Sequence, residues 1–365
     1  MTAVTTLFAL AMILFGAELF TNAIEWLGVK LQLGQGAVGS VLAAIGTALP
    51  ETAVPVTAIL FGTSKEAADV GIGGILGAPF LLSTLGSLVM ALALLSSRNR
   101  TIRLPLSIEQ KSFMRDMGFF ICAYICAMVA GCVPIVWVHH LSALLLVFLY
   151  ALFVWRTLRD KPIASEEEPD LHALYLSFSK DEPKLSHIVL QVFLSIACIV
   201  GGAHFLTNAV EHMASVWRLP AFVVSALLIP LATELPETLN SVMWIRRSRD
   251  SLAVGNITGA MVFQSTWVPA LGIWMTPWSL TTDALLTGSL TLAAAAFLYG
   301  MYRLYGGLYA WMLWIASIFY FVMPLLSIPV VRHSPHWFFI FVFIIFFLLF
   351  LAYVSFRRST NQEIV

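Results

Sequence analysis

The chain is expected to fold as an all-α polytopic membrane protein, an inverted five-plus-five transmembrane helix repeat with one additional C-terminal span. Three observations predict this. Of its 365 residues, 59% are hydrophobic and only 11% charged, with a mean hydropathy of +0.89, too little charge to coat a soluble domain of that length. Apolar windows of about twenty residues recur eleven times. Two distinctive segments also recur five windows apart. Five is odd, so the second copy enters the bilayer from the opposite side.

The windows lie near 4–26, 36–61, 68–95, 116–134, 140–156, 187–210, 219–245, 251–274, 283–302, 306–327 and 336–356. The first has no basic segment ahead of it and no small-residue cleavage pattern, so it is expected to remain as a helix. Residues 1–156 then form the first five-span repeat and 187–327 the second. Residues 157–186 join them as a linker, and 328–365 supply the extra span and a tail. The linker contains SEEEPD and KDEP, a charge run expected to be a solvated connection rather than a domain.

Basic residues test this layout. Loops after odd-numbered windows, with the C-terminus, hold 17 of the 20 Lys and Arg; the opposite side holds only Lys65, Arg218 and Arg332. A miscounted window would scramble that asymmetry. Positive loops stay cytoplasmic, so the N-terminus is expected outside and the linker and C-terminus inside, in a plasma (inner) membrane. The formal net charge of zero argues against a nucleic-acid partner. Cys122, Cys126, Cys132 and Cys198 all fall in apolar runs without a CxxC pair or Cys/His cluster, which favours membrane packing over metal or disulfide chemistry.

The repeat is visible residue by residue. GAELFTNAIE (Gly16–Glu25) matches GAHFLTNAVE (Gly202–Glu211). Thr47, Leu49, Pro50, Glu51 and Thr52 recur 186 residues later as Thr233, Leu235, Pro236, Glu237 and Thr238. GGILGAPFLLST, ending in Ser83-Thr84, matches GNITGAMVFQST, ending in Ser265-Thr266, at an offset of 182. The glycine pairs Gly73/Gly77 and Gly255/Gly259 read as close helix packing. Asn256-Ile-Thr258 matches a glycosylation sequon but lies inside a window, where it is accidental.

Each motif puts helix-breaking chemistry and charge where lipid should be. Pro50 and Pro236 remove a backbone donor and free the carbonyls of Gly46 and Ala232, which need a partner inside a membrane. Thr47 and Glu51 are four apart on one helix face, as are Thr233 and Glu237. Two broken helices would each offer a carbonyl, a hydroxyl and a carboxylate, hard oxygen donors that suit Ca2+ and not a softer metal. The bland alternative is a pair of buried acids held neutral or paired elsewhere. The window interiors contain almost no Lys or Arg to pair with them, and an intramembrane carboxylate marks a functional site by default.

GTALPET with ADVGIGGILGAPFLL, and ATELPET with DSLAVGNITGAMVFQ, resemble the two α-repeats of the cation/Ca2+ exchanger superfamily, the Na+/Ca2+ exchangers in particular. The resemblance covers residues 14–90 and 200–272 and the five-plus-five layout. It implies a secondary antiporter that alternates access to one central site and moves Ca2+ against Na+ or, in other branches, H+, with no cofactor and with a monomer sufficient. The family's motif glutamates fall on Glu51 and Glu237, and its threonines on Thr47 and Thr233. The chain departs from the family elsewhere. Ala48 and Glu234 stand where the family has Ser, as do Ala78 and Ala260 in the glycine helices. Leu82 and Gln264 stand where the family has Asn or Asp.

These departures remove hydroxyls that serve Na+ and add the carboxylate of Glu234, three residues from Glu237 on the same face, a crowding that fits proton coupling. His204, which aligns with Glu18, could relay protons or be a satisfied buried histidine. Exchange of Mg2+ or Mn2+ against H+ is the neighbouring alternative, and a cation channel the alternative of a different kind. An intramembrane enzyme would need an HExxH, a GxSxG or a nucleophile beside the glutamates, and the sequence has none.

Overall fold

The structure, a computed structural model, describes residues 2–30, 43–62, 66–96, 105–159, 173–177, 183–328 and 344–355. These are helical almost throughout: α1 Thr2–Lys30, α2 Ala43–Phe61, α3 Ala67–Ser83, α4 Leu85–Ser96, α5 Gln110–Ala130, α6 Val136–Arg159, α7 Leu185–Trp217, α8 Ala221–Thr233, α9 Leu235–Arg246, α10 Asp250–Met275, α11 Thr282–Tyr305, α12 Ala310–Ser327 and α13 Ile344–Ser355. Every expected window meets a helix. Seven segments are long and apolar enough to cross a bilayer, and α8 with α9 makes an eighth. The windows at 36–61 and 336–356 begin outside the described residues. The SEEEPD run lies outside them too.

The expectation of two broken helices needs correction. Span seven breaks: α8 and α9 meet at 50° around Glu234, whose φ of −90° and ψ of 1° are not helical. Its carbonyl receives both Thr238 N at 3.0 Å and Thr238 Oγ1 at 2.9 Å. Among the described residues the second span shows no such break: α2 runs from Ala43 through Pro50 and Pro55, whereas Pro236 stands in the first turn of α9.

Several helix contacts of the N-terminal half recur in the C-terminal half. As α3 packs on α8, so α2 packs on α10; as α10 packs on α5 and α6, so α3 packs on α11 and α4 on α12. Even single hydrogen bonds repeat. Ser83 and Thr84 both donate to Phe80 O, at 3.2 and 2.5 Å. Ser265 and Thr266 both donate to Val262 O, at 3.0 and 2.6 Å. These hydroxyls satisfy carbonyls within their own helix. In the first copy the chain steps out of helix at Thr84; in the second, α10 continues.

Apolar packing separates into unequal bodies. The main core gathers buried residues of α3 to α6 and α9 to α12, with Phe222, Val223 and Ala226 of α8. A second cluster joins Ala9 and Ile13 of α1, Val54 and Ala58 of α2, Leu206 and Val210 of α7, and Val224 and Ile229 of α8. The α3–α8 contact between the two is tight. A Cβ on Gly77 would come within 2.7 Å of the Ala226 Cα, so only glycine allows that approach. Gly255 and Gly259 have nothing within 4 Å of such a Cβ among the described residues.

Candidate functional site

Glu51 on α2, Glu234 at the α8–α9 break, Glu237 in the first turn of α9 and Gln264 on α10 are all buried, none more than 3% exposed. Three of them meet. Gln264 donates through Nε2 to Glu51 Oε2 at 2.5 Å and to Glu234 Oε2 at 2.9 Å. The two carboxyl groups therefore share one amide nitrogen. Two buried carboxyl groups that close need a proton or a cation between them. The Gln264 Oε1 is buried and makes no hydrogen bond among the described residues, an acceptor left open inside the site.

The break at Glu234 produces this geometry. In an uninterrupted helix Glu234 and Glu237 would lie one turn apart on the same face. With Glu234 out of helical conformation, its carboxylate turns towards α2 and α10 instead. Thr233 Oγ1 lies 3.4 Å from Glu234 Oε1 and 3.3 Å from Ile229 O, so its single hydrogen serves one or the other. Glu237 stays within electrostatic reach of Glu51. Asn256 on α10, whose sequon was dismissed as accidental, donates to Glu237 O at 3.1 Å and to Ser241 Oγ at 3.5 Å, tying α9 to α10 beside the site.

Of the residues expected from sequence, Glu51, Glu234 and Gln264 are thus brought together, with Thr233 against Glu234 and Glu237 close by. Ala232 is buried one turn before Pro236. Gly46 and Thr47 fall in the first part of α2, where side chains and their contacts lie outside the described residues. No group of three or more His, Cys, Asp or Glu side chains is gathered tightly enough to hold a metal ion among the described residues. The donor set at the meeting point is therefore two carboxyl groups and an amide.

His204 is exposed on α7, not buried, with Nε2 3.2 Å from Asn208 Nδ2, and the exposed Glu18 accepts from Tyr175 Oη at 2.9 Å. One neighbour was missed. Tyr150 on α6 lies within electrostatic reach of Glu51, its ring edge-on to Phe263 at 5.5 Å. A single Tyr in the run LLLVFLYALF looks like an apolar filler, and nothing in its spacing separates it from one.

Comparison with known proteins gives a consistent result. The chain matches the sodium/calcium exchanger protein family over residues 1–159 and 187–356. It is 24% identical to the inner membrane protein YrbG of Escherichia coli over 244 residues, covering 66% of this chain and 69% of that one. Among solved structures, the H+/Ca2+ exchanger CAX superposes with a TM-score of 0.66 at 19% identity, over 99% of this chain and 90% of that one. The sodium-calcium exchanger NCX_Mj superposes with a TM-score of 0.54 at 16% identity, over 90% and 98% respectively. At those identities the superpositions show a shared fold.

Proposed function

The chain belongs to the sodium/calcium exchanger protein family, and from that premise we propose that it is an antiporter of Ca2+ against H+, working at the meeting point of Glu51, Glu234 and Gln264. The family is one of exchangers, so the protein is a transporter and not an enzyme. The observation that carries the proposal is the pair of buried carboxyl groups sharing one amide, at 2.5 and 2.9 Å. A site that must be neutralised in each half-cycle can exchange a divalent cation for protons with the same two groups.

Gln264 suits both half-cycles. Without a cation its NH2 group gives one hydrogen to each carboxyl. Turned about its last torsion, it would present Oε1 to a cation held between them. Glu237, Thr233 and the carbonyls of Ala232 and Gly46 are the proposed further ligands, all oxygen, which favours a hard cation. Ala48, Ala78, Ala260 and Leu82 contribute no oxygen donors, which weighs against Na+ as the coupling ion. The proposed frame is two inverted five-span repeats at 1–156 and 187–327, with the linker at 157–186 and the C-terminal segment on the cytoplasmic side of an inner membrane.

The deciding experiment is Ca2+ flux into proteoliposomes driven by an imposed pH gradient or an imposed Na+ gradient, applied separately. The proposal expects flux with the pH gradient and little with Na+. Flux with Na+ alone would replace H+ as the coupling ion. Saturation without counter-transport would indicate a channel. Flux of Mg2+ or Mn2+ in preference to Ca2+ would change the cargo.

A further inference from the structure

We propose that the cytoplasmic ends of α1 and α7 form a binding site for an extended peptide, occupied in cis by residues 173–177 of the linker, and that this strap restrains exchange. The site is made from two buried side-chain amides, Asn22 on α1 and Gln191 on α7, 4% and 0% exposed. Gln191 Nε2 donates to Leu19 O and Asn22 Oδ1, each at 2.9 Å, which joins the two helices. Both amides also bond the linker backbone. Asn22 Oδ1 accepts from Tyr175 N at 3.3 Å, Gln191 Oε1 accepts from Leu176 N at 3.0 Å, and Asn22 Nδ2 donates to Ala173 O at 3.5 Å.

The strap closes its own account with a turn, Ser177 N donating to Leu174 O at 2.9 Å. The partners of Ala173 O, Tyr175 N and Leu176 N read no side chain, as in recognition of an added strand. Leu174 supplies the anchor. It is 2% exposed and packs with Ala23 and Ile188, against Trp26, Leu27 and Val192. Tyr175 points the other way, nearly half exposed, and reaches Glu18. An open cleft of 460 Å3 lies against the outer side of the strap, lined by Glu18, Ala173, Leu174, Tyr175 and Ser177, so the segment has room to lift away.

The restraint follows from what the strap connects. α1 and α7 pack on each other and on α2 and α8, through a cluster distinct from the main core. Sliding this pair against the rest disturbs less apolar packing than any rearrangement within the main core, the usual condition for shear between packed helices. The linker leaves α6, whose Ala143, Leu146 and Phe153 belong to the main core, and is then pinned to the α1–α7 pair. It therefore bridges the two bodies on one face of the membrane.

The restraint rests on the antiport reading; the docking does not, and the test separates them. Hydrogen exchange on the full chain in proteoliposomes should show the Tyr175 and Leu176 amides exchanging at least about tenfold slower than unpaired linker amides, since both are bonded to buried acceptors. Leu174→Asp, outside the helices, should abolish that protection and raise the initial Ca2+ flux at least about twofold; Tyr175→Phe should change neither, since its hydroxyl bond is exposed. Unprotected amides in the unmodified chain, or protection that survives Leu174→Asp, would overturn the docking. Lost protection with flux unchanged or lowered would overturn the restraint. If the unmodified chain moves no Ca2+ while its amides are protected, the antiport reading fails and the peptide site stands.

Discussion

Glu234→Ser is the sharpest test of the proposed chemistry, because it puts the hydroxyl usual in the family where this chain has a carboxylate. Glu234 is fully buried, and its Oε2 shares the Gln264 amide with Glu51, so the change removes one unit of charge from the meeting point. A unit charge acts on another about 4 Å away with about 4 kcal/mol at the effective dielectric suited to proteins. A divalent cation loses about twice that, and a monovalent ion about once. The difference, about 4 kcal/mol, corresponds to a preference for divalent over monovalent cations reduced by up to about a thousandfold. The new hydroxyl and solvent relaxation return part of this, on the order of 1 kcal/mol for a hydrogen bond. A tenfold fall is therefore the smallest result the reasoning survives. The assay is half-saturation for Ca2+ and the pH profile of flux in proteoliposomes, with and without Na+. Glu234→Ser should raise half-saturation, flatten the pH profile and bring in a response to Na+. If all three stay as in the unmodified protein, Glu234 has a structural role only, and the case for proton coupling collapses.

Other consequences can be checked in parallel. Glu51→Gln and Glu237→Gln should each abolish Ca2+ flux while leaving the melting temperature in detergent within a few degrees; wild-type flux in both would remove the motif glutamates from the mechanism. Gly77→Ala should destabilise the protein by about 1–3 kcal/mol, the usual cost of overpacking, because its Cβ would come within 2.7 Å of the Ala226 backbone. Gly259→Ala, with nothing near it among the described residues, should melt with the unmodified chain, and equal melting of both would deny the tight α3–α8 contact. Protease added to sealed vesicles of known orientation should cleave within 157–186 only from the cytoplasmic face; cleavage from the outer face alone would invert the topology.

The sequence carried the fold further than it carried the site. Long apolar windows separated by basic loops leave little freedom, because an unpaired backbone in lipid is so costly that each window must become a helix. The buried acids were legible for the same reason: a carboxylate in such a window has no cheap structural explanation. What spacing could not give was the pairing. Glu234 and Glu237 read as neighbours on one helix face, and only the non-helical backbone at Glu234 sends its carboxylate towards Glu51. The equal prolines of the two motifs read as equal breaks, yet α2 runs through Pro50 while the chain bends at Glu234, just before Pro236. Tyr150 is a single polar group in an apolar run, and Asn22 and Gln191 carry no spacing that distinguishes them from other polar residues near helix ends. Their partners lie on other elements, 151 residues away for Asn22 and Ala173, and no local pattern announces such contacts.

The two copies keep the same architecture and divide the chemistry unequally. Ser83-Thr84 and Ser265-Thr266 make the same pair of bonds back to their helices, so this local feature is shared by the two motifs. The polar positions facing the centre are not. Ala48 matches Glu234, and Leu82 matches Gln264, so at the meeting point the first copy supplies Glu51 and the second supplies Glu234 and Gln264, with Glu237 in reach. A symmetric site would present each side of the membrane with an equivalent half. Here the charge and the amide that reorganises around it belong to the half that contains the broken helix, the element freest to change its angle at Glu234. On the proposed site, loading and release of the cation would reorganise the second copy around Glu51, and that asymmetry is what a chain with two equal motifs would lack.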